Sequence, residues 1–148
     1  MRLTNSILFL ILFTTGLFAQ KYNEKLAKSY GADDYGMKPY ILVILKTGNY
    51  EPVNKAEKDS LFKGHMANIG RLARENLLTV AGPLGKNDKN YRGIFILNVK
   101  TIEEARKLTQ TDPAVNSGLL DVEFYNWYGA AALPVYLKTQ KRITKSKI

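Results

Sequence analysis

The most informative segment of the sequence is residues 77–99, which read LLTVAGPLGKNDKNYRGIFILNV. Strands are predicted at Leu77–Ala81 and Arg92–Val99, because both runs are rich in β-branched and other apolar residues. The loop between them, 85–90, consists of glycine, asparagine, aspartate and lysine, and such residues are typical of a hairpin connection. The segment therefore predicts a β-hairpin in the middle of the chain.

An apolar strand and a helix precede this hairpin. The strand is Tyr40–Leu45, which is too apolar to have one face in water. The helix is predicted to begin at Asp59 or Ser60 and to end near Asn76. Its apolar residues recur at intervals of three and four, as one buried helix face requires.

A second helix and a last strand follow the hairpin. Thr101 and Glu104 have the spacing of a capping box, which predicts the start of a helix. Leu120–Trp127 has the apolar and aromatic composition of a strand. The order strand, helix, strand, strand, helix, strand is that of the ferredoxin-like split βαβ arrangement. We therefore predict an α+β fold in which both helices cover one face of a four-stranded antiparallel sheet.

The other face of the predicted sheet is also apolar. Ile94 and Ile96 point away from the face that Phe95 occupies, and Tyr125 and Trp127 share one face of the last strand. An apolar face left in water would promote aggregation. We therefore predict that a second copy of the chain covers this face, which gives a two-fold homodimer.

The N-terminus predicts export to the periplasm or out of the cell. Arg2 precedes an almost unbroken apolar run at residues 7–18, and Ala19 ends the run. This is the pattern of a signal peptide, residues 1–19, that is cleaved after Ala19. The run is shorter than the roughly 20 apolar residues of a spanning helix. We expect no stable membrane insertion after cleavage, and an uncleaved anchor is the alternative.

Residues 20–38 are predicted to form a lead-in segment before the main domain, residues 39–137. Within the lead-in, the apolar spacing of residues 21–30 predicts a short helix packed on the domain. Gly31 is expected to end that helix.

The net charge of +9 is concentrated at the C-terminus. Five basic residues lie within residues 138–148, whereas residues 39–136 contain 12 basic and 10 acidic residues and carry only +2. A block of like charge is typically solvated, so we expect residues 138–148 to be a disordered basic tail. The tail is expected to serve solubility, or alternatively to bind an anionic surface or an acidic partner.

Several classes of site are excluded or disfavoured by composition. The chain has no cysteine, which excludes disulfides, zinc fingers and thiol catalysis. A single histidine cannot build a histidine-rich metal site, so we predict neither a metal nor a cofactor. The segment 92–96 begins like the RNA-binding strand of an RRM domain, but Phe95 points to the opposite face from the one where bases stack. No nucleic-acid partner is therefore expected.

His65 and Asp112 are the candidate catalytic residues. His65 lies four residues after Leu61 and four before Ile69, so it faces the core with them, either as a structural histidine or as a proton carrier. Asp112 precedes Pro113, which is typical of an N-cap. Its carboxylate could instead orient His65, and because a carboxylate has several lone pairs, the two roles can coexist.

Tyr125 and Trp127 are the candidate substrate-binding residues. With Tyr128 they form an aromatic cluster near the end of the last strand. The cluster is expected to pack in a dimer or barrel interface. The alternative is that it forms one wall of a pocket for a planar ligand.

An ordered set of short motifs between residues 40 and 132 resembles the YciI-like (YCII-related) family. The matching motifs are Gly64-His65-Met66, Ala81-Gly82-Pro83, Arg92-Gly93, Glu103-Glu104-Ala105, Thr111-Asp112-Pro113 and Trp127. The preceding segment 32–37 looks like the lead-in of exported members.

The resemblance implies a dimeric α/β-barrel form of the ferredoxin-like fold, with a pocket that His65 and Asp112 share. One member of the family is a dehydrochlorinase acting on a chlorinated hydroxyquinol, and most members have no assigned activity. An arginine that is common three residues before the family's histidine is Phe62 here, so an anionic substrate held by that arginine is not carried over. The resulting hypothesis is a small-molecule lyase or isomerase that uses His65 and Asp112 for proton transfer. The alternative is a non-catalytic dimer that binds a small ligand or a protein.

Overall fold

The computed structural model describes residues 21–145, and the predicted signal peptide, residues 1–19, lies outside them. Within the described residues the sheet has the four strands that the sequence predicts, although at least one end of each strand differs from the predicted end by one or more residues. The strands are β1 (Met37–Thr47), β2 (Leu78–Pro83), β3 (Tyr91–Leu97) and β4 (Leu120–Ala130). The strands are antiparallel in the order β2-β3-β1-β4. The central pair is thus formed by the first and third strands, and the predicted α+β fold of the ferredoxin-like type is confirmed.

The two faces of the sheet differ in what covers them. The helix face is packed against helices and supplies most of the core through Ile41, Val43, Leu45, Phe95, Leu97, Val122 and Phe124. The residues between these in β1, β3 and β4 point to the opposite side of the sheet, which we call the open face. They are Leu42, Ile44, Ile94, Ile96, Tyr125 and Trp127. The predicted division of the strands into these two faces is therefore confirmed, whereas the homodimer stays a prediction.

The helix α2 (Lys55–Arg74) begins four residues before the predicted Asp59. Asn54 is its N-cap, and the Asn54 side chain accepts a hydrogen bond from the backbone N–H of Glu57. The first turn carries no buried residue, so apolar spacing alone could not reveal it. The helix ends before the predicted Asn76 because Asn76 adopts a left-handed conformation, with φ of 58°.

The helices α3 (Ile102–Thr109) and α4 (Pro113–Asn116) follow the hairpin. The predicted capping box of α3 is confirmed, since both the Thr101 side chain and the Glu104 side chain bond to the opposite backbone N–H. Asp112 caps α4, with Pro113 at its first position, as the sequence predicts.

The segment predicted to be a disordered basic tail, residues 138–148, is mostly helical in its described part. A short turn at Leu133–Val135 leads into the helix α5 (Tyr136–Ile143), so the predicted domain boundary falls inside a helix. The Tyr136 hydroxyl donates a hydrogen bond to the backbone oxygen of Thr79, which holds the start of α5 against β2. This contact fixes the first turn of α5. The residues that follow include leucine, lysine, glutamine and arginine, which are good helix formers and continue the helix. The basic side chains themselves are exposed.

The lead-in helix α1 (Glu24–Tyr30) is capped by Asn23 and ended by Gly31, whose φ of 68° is the left-handed conformation that glycine adopts readily. The predicted stop at Gly31 is confirmed. None of the residues of α1 is buried, so the helix is less closely packed than expected. Across residues 21–145, no helix combines the length and the apolar character needed to cross a bilayer.

Candidate active site

The fold brings His65 and Asp112 together. His65 lies in the middle of α2 and Asp112 precedes α4, 47 residues later in the chain, yet His65 Nδ1 is 2.7 Å from Asp112 Oδ2. The Asp112 side chain is fully buried and the His65 side chain is 12% exposed. The predicted pair is therefore present as a short, largely buried hydrogen bond.

A glycine next to the histidine allows this approach. A Cβ atom added to Gly64 would lie only 2.7 Å from Cγ of Pro113, so any other residue would push α2 and α4 apart. Because His65 and Asp112 are the chain neighbours of Gly64 and Pro113, the close packing of the two helices sets the distance between the His65 and Asp112 side chains.

Asp112 performs both of the roles that the sequence leaves open. Its Oδ1 accepts a hydrogen bond from the backbone N–H of Ala114 at 3.0 Å, which is the N-cap interaction. Its Oδ2 accepts from His65 Nδ1 and, at 3.5 Å, from Asn68 Nδ2. An ionised carboxylate only accepts hydrogen bonds, so the proton of a neutral His65 ring belongs on Nδ1.

Two phenylalanine rings enclose the His65 imidazole. Phe95 of β3 stacks on it with ring centroids 5.9 Å apart and planes inclined by 22°. Phe62, one turn earlier in α2, meets it edge-on at 6.2 Å and 88°. The Phe62 side chain is 39% exposed, so one of the two rings reaches the surface beside the imidazole.

The remaining ring nitrogen of His65, Nε2, is not fully buried. Within residues 21–145, Nε2 makes no hydrogen bond, and none of the fully buried side-chain nitrogens or oxygens there lacks a partner. Nε2 must therefore account for part of the exposed area of the His65 side chain. A ring with its proton on Nδ1 presents an unprotonated Nε2 at the surface, and this atom can accept a proton.

The sequence reasoning missed a polar cluster behind Asp112, formed by Asn68, Arg71 and Thr111. Arg71 Nη2 donates to Asn68 Oδ1 and to Thr111 Oγ1, both at 2.8 Å. Asn68 is 6% exposed. The signal was present in the spacing, because residues 65, 68 and 71 follow one another at intervals of three along one side of α2.

Tyr125 and Trp127 do not join this site within one chain. They lie on the open face, whereas His65 stacks on Phe95 of the helix face. The Trp127 ring packs against the ring of Tyr40 at 5.6 Å. The Tyr125 hydroxyl donates to Glu123 Oε2 at 3.0 Å, and this bond raises the pKa of Tyr125. A pocket wall shared between these aromatics and His65 is therefore not formed by a single subunit.

Two surface cavities lie elsewhere, at the end of the sheet where β1 begins. Their volumes are about 570 and about 210 Å³, and they share the lining residues Asn98, Val99 and Lys100. Neither cavity is lined by His65 or Asp112.

The described residues contain no group of three or more histidine, aspartate and glutamate side chains placed to hold a metal ion. The absence of a metal and of a cofactor stays a prediction.

Comparison with known proteins gives a family and a distant structural likeness. No curated protein is similar enough to this chain to count as a match. Among solved structures, the chain is similar to 5-chloro-2-hydroxyhydroquinone dehydrochlorinase from Burkholderia phenoliruptrix, in complex with 2,5-dihydroxybenzoquinone. The sequence identity is 20%, the match covers 59% of this chain and 92% of the other, and the TM-score is 0.41. A likeness this weak does not transfer an activity.

The family itself is shown by the sequence match. The model of the YCII-related domain matches residues 40–128, which is more than half of the 148 residues. The matched region runs from β1 to near the end of β4 and contains both His65 and Asp112. The protein therefore belongs to the YCII-related family.

Proposed function

We propose that this protein catalyses a proton transfer on a small organic molecule, with His65 as the general acid and base. The observation that carries the proposal is the 2.7 Å bond from His65 Nδ1 to the buried Asp112 carboxylate, which leaves Nε2 unprotonated and not fully buried. A positioned imidazole of this kind accelerates proton transfer by about 10²- to 10⁴-fold.

The proposed reaction begins when the Nε2 lone pair takes a proton from an acidified carbon of the substrate. The electron pair of the broken C–H bond then either expels a leaving group from the adjacent carbon, which is an elimination, or moves into a conjugated carbonyl, which is the first half of an isomerisation. In the first case the protonated ring releases the proton to water or to the departing group, and in the second case Nε2–H returns the proton at another carbon. The ring is positively charged between the two steps, and the Asp112 carboxylate at 2.7 Å stabilises that charge.

The surroundings of the imidazole favour an uncharged or planar substrate. Both rings in contact with it belong to phenylalanines, and Phe62 is exposed beside it. An aromatic face binds flat apolar groups through stacking or edge contacts. We therefore place the reacting part of the substrate against Phe62, within reach of Nε2.

A homodimer is part of the proposal. The open face carries apolar residues that the helices of the same chain leave uncovered, and the Tyr125 side chain on it is 49% exposed. A second copy meeting this face would bury Tyr125 and Trp127 in the interface, where we assign them a packing role. Light scattering at micromolar concentration should give twice the chain mass, and a monomeric mass would contradict the dimer.

Export is also part of the proposal, and it rests on the sequence alone. We propose that residues 1–19 direct secretion and are removed, so that the mature chain begins at Gln20 and works in the periplasm or outside the cell. Intact mass of the protein from the secreted or periplasmic fraction should correspond to residues 20–148. A full-length mass in a membrane fraction would instead indicate an uncleaved anchor.

The experiment for the catalytic proposal does not require the substrate to be known. A panel of small enolisable carbonyl compounds and halogenated phenols is incubated with the protein in D₂O, and NMR follows deuterium incorporation and halide release. The wild type should act on at least one compound, and His65→Gln should be at least about 100-fold slower with an unchanged fold. Binding without turnover in both proteins would favour the alternative, a non-catalytic ligand-binding dimer.

A further inference from the structure

The polar cluster of Asn68, Arg71 and Thr111 has a fixed direction of hydrogen bonding. A guanidinium group only donates hydrogen bonds, so both groups that face Arg71 Nη2 must accept. Those groups are Asn68 Oδ1 and Thr111 Oγ1, each 2.8 Å away. Thr111 Oγ1 is also 3.0 Å from Asn68 Oδ1 and 2.7 Å from the backbone oxygen of Leu108, and both of those atoms are acceptors.

This direction determines which way the Asn68 amide is turned. The two ends of an amide side chain are nearly identical in shape, and the neighbouring donors and acceptors decide between them. With its oxygen held by Arg71, Asn68 must present its NH₂ group to Asp112 Oδ2, at 3.5 Å. The reversed amide would place NH₂ against the guanidinium and an oxygen against the carboxylate, and both contacts are repulsive.

Asp112 Oδ2 consequently faces two donors. Asn68 Nδ2 lies 3.5 Å and His65 Nδ1 2.7 Å from this oxygen, while Oδ1 is bonded to the backbone N–H of Ala114. A buried carboxylate that is surrounded by donors stays an acceptor, and therefore His65 must donate from Nδ1.

We infer that Arg71 is a positioning residue for His65: through Asn68 and Asp112 it holds the imidazole proton on Nδ1 and keeps Nε2 unprotonated. Arg71 does not contact the imidazole, so it acts only through the two intervening side chains. The use of this arrangement in catalysis rests on the proposed function, but the arrangement itself can be tested without any substrate.

Thr111 connects the polar cluster on α2 to the segment between α3 and α4. Its hydroxyl joins Arg71 of α2 to the connection between α3 and α4, directly before Asp112. The guanidinium also pairs with Glu75 at the end of α2, at 2.8 Å, which holds its outer side. Arg71 thus ties α2 to the segment that directly precedes Asp112.

The test measures the protonation of the single imidazole by its ¹⁵N chemical shifts and its long-range ¹H–¹⁵N couplings. The Arg71→Met variant removes the donors and keeps the aliphatic stem, and the matched control Arg74→Met removes an exposed arginine from the last turn of the same helix. We expect the Nε2–H form of neutral His65 to rise about tenfold relative to the Nδ1–H form in Arg71→Met, and to stay unchanged in Arg74→Met. A tenfold change is the effect of about one hydrogen bond.

Two further variants keep the inference falsifiable if Arg71→Met is poorly folded. Asn68→Ala should reproduce the effect of Arg71→Met, whereas Arg71→Lys should largely retain the wild-type tautomer, because an ammonium group also donates to Asn68 Oδ1. A tautomer ratio that stays at the wild-type value in Asn68→Ala, or in a folded Arg71→Met, overturns the inference. If the tautomer depends on Arg71 but no compound is turned over, the inference stands and the proposed function fails.

Discussion

The helix face and the open face of the same sheet are built in opposite ways. On the helix face, Asp112 is buried and its hydrogen bond with His65 Nδ1 is largely buried, and every fully buried side-chain polar atom among residues 21–145 has a hydrogen-bond partner. On the open face, apolar and aromatic side chains such as Tyr125 remain half-buried or exposed. A polar network in a dry environment fixes one geometry, whereas an exposed apolar surface favours association. Chemistry is therefore expected on the first face and assembly on the second.

The largest effect is expected when the helix face loses Asp112. Asp112→Ala removes the N-cap of α4 and leaves the N–H of Ala114 and Nδ1–H of His65 without an acceptor. The free energy of unfolding should fall by about 3 kcal/mol, the sum of the two lost interactions.

Urea unfolding measures this change, with Asp88→Ala as the control. Asp88 is an exposed loop residue, so its replacement should change the free energy of unfolding by less than about 0.5 kcal/mol. Equal effects of the two substitutions would show that Asp112 has no special place in the fold.

A charge on the open face should act on assembly rather than on folding. Ile94→Lys places an ammonium group in the middle of the proposed interface, and the dimer should dissociate at least about 100-fold more readily. Val53→Lys is the matched control, since Val53 is 83% exposed and lies outside the sheet. Analytical ultracentrifugation measures the dissociation constant of the dimer in each variant. A wild-type protein that sediments as a monomer would contradict the assignment of the open face to assembly.

Two glycines of α2 should respond to alanine with opposite signs. Gly64→Ala puts a Cβ atom 2.7 Å from Pro113, and the resulting overpacking should destabilise the protein by about 2 kcal/mol. At Gly70 the nearest atom to a new Cβ is the end of the flexible Arg74 side chain, at 3.3 Å. Gly70→Ala should therefore stabilise the helix by about 0.5 to 1 kcal/mol. Thermal unfolding of both variants tests this, and two effects of the same sign would contradict the role of Gly64.

The smallest effect concerns pH and the open face. Lys46 bonds to Glu123 and Asp121 at 2.7 and 3.2 Å. The pKa of Asp121 is lowered by the backbone N–H of Val122 and then by Lys46, and the pKa of Glu123 is lowered by Lys46 and then by the Tyr125 hydroxyl. A carboxyl group whose pKa is lowered by folding stabilises the folded protein at any pH above its ordinary pKa. This stabilisation is lost as the pH falls through the lowered pKa. The difference in stability between wild type and Lys46→Met should therefore be larger at pH 7 than at pH 3. A difference that does not change with pH would show that these ion pairs contribute nothing.

Much of the fold could be predicted from the sequence because many of its elements depend on residues that are close together in the chain. The hairpin, the capping box at Thr101 and the stop at Gly31 each depend on neighbouring residues. The start of α2 at Asn54 was missed, since an exposed first turn has no apolar signal. The helix α5 was missed because charge alone argued for disorder, while its anchor on Thr79 depends on a contact 57 residues away.

The candidate site could be predicted only in part, for the same reason. His65 and Asp112 were identified by their residue types and by the family motifs, and their contact is confirmed. Tyr125 and Trp127 are predicted from the alternation of β4 to share one face, and the structure places them on the open face, away from His65. Asn68 and Arg71 were overlooked because surface-type residues on a helix become part of a site only when another element, here the segment before α4, packs beside them.

The central claim is that Asp112 holds the proton of His65 on Nδ1 and leaves Nε2 as the base. The most direct measurement is the ¹⁵N NMR spectrum of the single imidazole at a pH where it is neutral, in the wild type and in Asp112→Asn. We predict the Nδ1–H form in the wild type. The Nε2–H form should grow clearly in Asp112→Asn, because only one oxygen then remains for the donors of Ala114 and His65. A wild-type ring protonated on Nε2, or the same tautomer ratio in both proteins, would contradict the account.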